Sequence, residues 1–153
     1  MEIIVFDKSK WHFNGDFPED LEAYQGYVHT GFYIGWLIVN NMISDAFKQE
    51  CGESIMQFEN MDLSCVKLYM EQLDGVFTSE ELNEEGLVFT KEYYDSDNAK
   101  YMADYNVTFG AKVPTLYHVQ DNWENFREIC LTINFRYKKW KDNPETLQLS
   151  IKI

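Results

Sequence analysis

The chain predicts a mainly α fold, a single compact multi-helix domain with a small β element formed by the N- and C-terminal strands. Three observations carry that expectation. Apolar residues recur at steps of three and four through several segments, both ends of the chain read as strands, and no repeat or Pro/Gly/Ser-rich linker divides it. With 45% hydrophobic and 16% aromatic residues, 1–153 can fill one core, whereas two independent domains would each be short of interior.

Residues 1–6 read as a short strand. Gly15-Asp16-Phe17-Pro18 supplies a turn, and Pro18 suits a helix start because its missing N–H is not needed there. In the long helix expected next, Leu21, Tyr24, Val28, Gly31, Gly35 and Val39 keep the three-four step, while Phe32, Trp36 and Leu37 widen the apolar face. Gly31 and Gly35 stand one turn apart and leave the backbone open to close approach by another element or a ligand. Each costs about 1 kcal/mol of helix propensity relative to alanine, which packing has to offset.

Ser44 is expected to cap a short helix through Cys51. Asp62 is expected to cap the next, with Leu63, Val66, Met70, Leu73 and Phe77 as its apolar stripe. Thr78-Ser79-Glu80-Glu81 carries a capping-box signal, and 84–94 is read as helical. After a polar interruption at 95–98, Tyr101, Met102, Tyr105 and Phe109 suggest a further helical piece.

The clearest helix holds Trp123, Phe126, Cys130, Ile133, Tyr137 and Trp140 in an unbroken three-four alternation. Asp121 and Glu124 are its expected capping pair, Lys138, Lys139 and Lys141 suit its C-terminal dipole, and Asp142-Asn143-Pro144 ends it. Beyond, Leu147, Leu149, Ile151 and Ile153 alternate with polar residues as a half-buried strand, expected to pair with 1–6. An exposed edge there would instead offer a route to a homodimer.

Thirteen Lys and Arg against 26 Asp and Glu give a formal charge of -13, which repels phosphate backbones and anionic membrane surfaces. Neither nucleic acid nor membrane is an expected partner. Residues 45–104 hold fifteen acids and four bases, whereas 105–153 hold five acids and seven bases. Such a lopsided field either keeps the surface solvated or steers the molecule toward a cationic partner.

The longest apolar run, 32–39, is far shorter than the ~20 residues a membrane span needs, and the N-terminus lacks the basic leader of a secretory signal. Cys51, Cys65 and Cys130 are odd in number and form no C-x-x-C pair, so reduced thiols and a cytoplasmic location are expected.

Motifs for chemistry are sparse. No H-E-x-x-H or other i, i+4 histidine pair marks a metal site, no G-x-S-x-G elbow marks a nucleophile, and neither glycine-rich phosphate signature occurs. The expectation is therefore no cofactor, no metal and no catalytic residue. His12, His29 and His118 lie in the most unusual segments, with Asp7, Asp16 and Asp121 as nearby acids. Loop aromatics are the stronger clue, because Tyr and Trp anchor interfaces when a polar rim surrounds them. Trp11, Phe17 and Tyr117 lie beside Asp16, Glu19, Asp20 and Asp121.

The segments Trp11-His12-Phe13-Asn14-Gly15-Asp16-Phe17-Pro18, His29-Thr30-Gly31 with Gly35-Trp36-Leu37, and Leu116-Tyr117-His118-Val119 with Asp121 and Trp123-Glu124-Asn125 resemble an uncharacterised family of small bacterial helical proteins. The resemblance implies a bacterial cytosolic protein and an association with toxin-immunity loci.

Two functions follow as expectations. The first is an immunity-type protein, not an enzyme, that occludes the active site of a cognate toxin with a basic cleft. Trp11, His12, Asp16, Phe17, Glu19, Asp20, Tyr117, His118 and Asp121 would form its partner-binding surface. The second is a small metal-dependent or acid-base enzyme using His12, Asp16, His29 and His118, which requires those side chains to converge.

Overall fold

In the computed structural model, residues 2–95, 97 and 99–143 are described. Strand β1 (Val5–Lys8) leads directly into the short helix α1 (Ser9–Phe13). A 3₁₀ turn at Ala23–Tyr27 then feeds α2 (Val28–Val39), so Pro18 does not start a helix and the expected long helix begins later. Helices α3 (Asp45–Glu50), α4 (Gly52–Glu59) and α5 (Cys65–Gln72) follow, then β2 (Val76–Thr78). The remainder is α6 (Glu84–Tyr93), α7 (Lys100–Phe109) and the 19-residue α8 (Trp123–Lys141). Among the described residues no helix is long and apolar enough to cross a membrane.

Among the described residues the fold is mainly α with a two-stranded antiparallel sheet, in which Val5 lies opposite Thr78 and Lys8 opposite Val76. The partner of β1 is thus β2, and Phe77, which the three-four step places on a helical stripe, lies in a strand. Asp74 and Gly75 both take positive φ, at 54° and 71°, which ends α5 and turns the chain into β2. The expected C-terminal strand, 147–153, lies outside the described residues.

α2 is the axis of the core, with eleven of its twelve residues buried. α5 crosses it at the two glycines. A Cβ on Gly31 would stand 2.6 Å from Val66 Cα, and one on Gly35 would stand 2.7 Å from both Cys65 Sγ and Phe126 Cε1. That close approach is what offsets the helix propensity lost at both positions. α8 closes the other side with Phe126, Ile129 and Ile133, and Trp36 Nε1 donates to Asn134 Oδ1 at 2.7 Å.

Ser44 caps α3 by accepting from Phe47 N, and Thr78 and Glu81 complete the capping box, as their spacing predicts. Two expected caps move. Ser64, not Asp62, caps α5, and Asn122, not Asp121, caps α8. Asp121 is engaged elsewhere, accepting a 2.5 Å hydrogen bond from Tyr24 Oη.

Candidate metal centre

Three consecutive local structures bring three polar groups to one point. In β1 the register against β2 shifts between Val5 and Asp7, so that Phe6 and Asp7 are both buried and the Asp7 residue is 8% exposed. α1 begins at once after β1 and carries His12, five residues on, back over the same carboxylate. α2 supplies His29 and Thr30 from its first turn, both buried.

Gly26 lets the Phe13 ring pack directly on the turn before α2: a Cβ there would meet Phe13 Cε1 at 2.5 Å and push the ring aside.

The resulting distances are short. His12 Nε2 lies 2.8 Å from Asp7 Oδ1, His29 Nε2 lies 3.1 Å from His12 Nε2, and His29 Nε2 lies 3.4 Å from Asp7 Oδ2. One ligand atom from each of the three residues therefore falls within 4.8 Å of the others.

Around them a second ring of contacts fixes orientation. Tyr94 Oη donates to Asp7 Oδ2 at 2.6 Å and Thr30 Oγ1 donates to the same oxygen at 3.1 Å. Tyr117 Oη and His12 Nδ1 are 2.8 Å apart. Tyr117 is placed by Gln25, whose Nε2 donates to the backbone carbonyls of Tyr117 and Val119 at 2.8 and 2.9 Å.

Burial alone would raise the Asp7 carboxyl. Hydrogen bonds from His12 and His29, with their charge, outweigh it and hold Asp7 below the ordinary carboxylate range. Burial has the opposite result at His29: it lowers the imidazole against the pull of Asp7, which favours the neutral ring that metals bind. Burial also raises Tyr94 and Tyr117, reinforced in both by the charge of Asp7, so both phenols stay protonated.

Two of the three histidines thus converge and the third does not. His118 Nδ1 is 2.8 Å from Thr115 Oγ1, away from the cluster. Asp16 is exposed and is not among the converging groups, although its charge contributes to raising Tyr117. Asp7, Thr30 and Tyr94 take the places that Asp16 and His118 had been given. Among the residues expected at a partner surface, Phe17 packs on Tyr117 with ring centroids 5.1 Å apart, and Trp11 is 52% exposed. Glu19 and Asp20 are also exposed, while Asp121 is tied to Tyr24.

An i, i+4 histidine spacing reveals metal ligands only when they share one helix. Here they come from β1, α1 and α2, and the available signal was the pairing of an acid with His12 at five residues' distance across a strand-to-helix junction.

Asp7 and His12 line an open cleft of about 360 Å³, whose other walls include Phe6, Trp11, Tyr94 and Met102. His29 lies behind them. The arrangement is suited to presenting a cation, or a proton held between imidazoles and carboxylate, to a ligand in that cleft.

No curated protein and no solved structure matches the chain. All of Asp7, His12, His29, Thr30, Tyr94 and Tyr117 fall within residues 5–119, the part matched by the family model described as a domain of unknown function, DUF7832. Since that match spans more than half of the sequence, the chain belongs to the DUF7832 family.

Proposed function

We propose that the chain is a metal-dependent enzyme that holds one first-row divalent ion on Asp7, His12 Nε2 and His29 Nε2. The ion would act as a Lewis acid on a ligand entering beside Trp11. The observation that carries this reading is the spacing of the ligand atoms. Groups about 2.0–2.2 Å from an ion and set at octahedral or tetrahedral angles stand about 2.8–3.6 Å from one another. His12 Nε2 stands 2.8 Å from Asp7 Oδ1 and 3.1 Å from His29 Nε2, and His29 Nε2 stands 3.4 Å from the other Asp7 oxygen, Oδ2.

Two imidazoles and one carboxylate suit zinc, iron, manganese or cobalt, whereas magnesium and calcium take oxygen donors. Three protein ligands leave coordination positions for water or substrate, as in catalytic sites. The Tyr117 hydroxyl on His12 Nδ1 supplies the outer partner that metal-bound histidines need. With an ion bound, His12 would carry its proton on Nδ1 and donate it to Tyr117. Without one, Nε2–H donates to Asp7. With zinc held by Asp7, His12 and His29, the ion would supply the acidification of a bound water that hydrolysis uses, which supports hydrolysis as the reaction class.

Metal analysis after equilibration with Zn²⁺, Mn²⁺, Fe²⁺ or Co²⁺ tests the proposal. About one ion per wild-type chain is expected for at least one of these, and none for His29→Gln. A wild-type chain that retains none of them in stoichiometric amount sinks the idea.

A second reading, an immunity-type protein that covers the basic cleft of a cognate bacterial toxin, is supported by the -13 charge, by exposed Trp11 and by the half-buried Phe17–Tyr117 pair. It expects a neighbouring gene's product to co-purify with the chain, and Trp11→Ala to weaken protection of cells. A chain that neither retains such a product nor protects would rule it out.

A further inference from the structure

We infer that the cleft beside Asp7 and His12 takes a small monocarboxylate with an aromatic or branched aliphatic body, its oxygen toward the metal and its body between Trp11 and Met102. This rests on the metal reading above.

The cleft has two unlike parts. Two of the three proposed ligands, Asp7 and His12, line it, so an ion held by them would be reachable from the opening. Its walls include Phe6, Trp11, Tyr94 and Met102, which are three aromatic residues, Tyr94 among them, and a thioether. The Tyr94 hydroxyl is already committed to Asp7, so it presents its ring rather than a free donor. At about 360 Å³ the space suits a molecule of one ring and a short polar end, near the lower limit of small-molecule pockets.

Charge selects the polar end. A divalent ion with one carboxylate and two neutral imidazoles would keep a net single positive charge. A monoanion is matched at that point. A polyanion is not, because no Lys or Arg is among the residues lining the cleft and the chain as a whole carries -13. The apolar walls then distinguish among monoanions: a ring buried against Trp11 and Met102 gains from leaving water, and a methyl group gains far less.

The test uses the Co²⁺-loaded protein, titrated separately with benzoate, acetate and inorganic phosphate while the visible cobalt spectrum and Trp fluorescence are followed. Benzoate is expected to perturb both signals and to bind at least tenfold more tightly than acetate, with phosphate weaker than benzoate. In Trp11→Ala the benzoate advantage is expected to fall several-fold while the cobalt content per chain is unchanged. Equal affinities for benzoate and acetate, or phosphate as the tightest ligand, overturn the assignment.

Benzyl alcohol, a ring without the charge, is applied to the metal-free protein as a separate arm. Shifts of the Met102 methyl resonance support the cleft even if no metal binds, and their absence together with no benzoate binding overturns it. Failure of the metal proposal is read independently, from the cobalt content.

Discussion

His12 Nε2 and His29 Nε2 face each other at 3.1 Å, although seventeen residues separate them in the chain and they lie on different helices. Two ring nitrogens at that distance have room for one proton or one cation between them and the adjacent carboxylate. If the occupant is a metal ion, His12→Ala and His29→Ala should each lower Zn²⁺ affinity by more than the roughly 10–100-fold that loss of an outer-shell partner costs. Tyr117→Phe, which removes only the contact to Nδ1, should fall within that smaller range. Isothermal titration across the three variants checks the order, and an unchanged affinity in His29→Ala contradicts it.

Metal binding should also be visible as stability. An ion that binds only the folded chain, present at about 100 times its dissociation constant, adds about 2.7 kcal/mol. For a chain of this length that corresponds to a rise in Tm of roughly 5–10 °C. Differential scanning fluorimetry with and without Zn²⁺ measures it, EDTA should reverse it, and Asp7→Asn should shrink it.

How much of this was legible in the sequence depended on how local each cause is. The Ser44 cap and the Thr78–Glu81 box were readable because both partners lie within three residues. The cap of α8 was misplaced by one residue because Tyr24, 97 residues away, takes the Asp121 carboxylate. Phe77 was placed on a helical stripe because it follows Leu73 by four residues, and nothing in that periodicity reveals the positive φ of Asp74 and Gly75 between them. The candidate site was half visible. His12 and His29 stand in unusual segments, but the five-residue spacing of Asp7 and His12 selects Asp7 over Asp16 or His118 only once β1 is paired with β2, a contact between residues about seventy apart.

At the crossing of α2 and α5, Gly35→Ala should lower stability by about 1–3 kcal/mol. The added methyl meets Cys65 Sγ and Phe126 Cε1 at 2.7 Å, and the overpacking outweighs the roughly 1 kcal/mol gained in helix propensity. Urea denaturation of the variant against wild type measures the difference, and an equal or higher midpoint contradicts it.

Asp104 is buried and accepts from Arg136 Nε at 2.9 Å, from Arg136 Nη2 at 3.0 Å and from Tyr93 Oη at 2.7 Å. Removing the cation leaves the carboxylate with Tyr93 alone. Because the Arg136 side chain is half exposed, water softens the loss, and Arg136→Ala should cost about 1–2 kcal/mol rather than the full penalty of a buried pair. A double-mutant cycle with Asp104→Asn reads the coupling directly.

The thiols give a pH-dependent check. Burial pushes Cys130 up to about 12 and raises Cys65 and Cys51 as well, the latter two with help from nearby charge. At pH 8 the folded chain should react slowly with a disulfide reagent, and all three thiols should react quickly in denaturant. Since the folded values lie above the unfolded ones, the folded chain holds more protons between them, and stability should fall as pH rises above about 9. Cys130→Ala should flatten that decline, as measured by chemical denaturation from pH 7 to 10.5.

α2 carries His29 and Thr30 on its first turn and the centre of the interior on the turns that follow. A single rod therefore serves as both keel and sighting mark. Any loosening of its seat against α5 or α8 displaces His29 relative to His12 before the chain unravels, so affinity for an ion at that point would register the tightness of the whole interior. Variants selected for altered chemistry would tend to accumulate in α1 and the walls of the cleft, where change leaves that rod undisturbed.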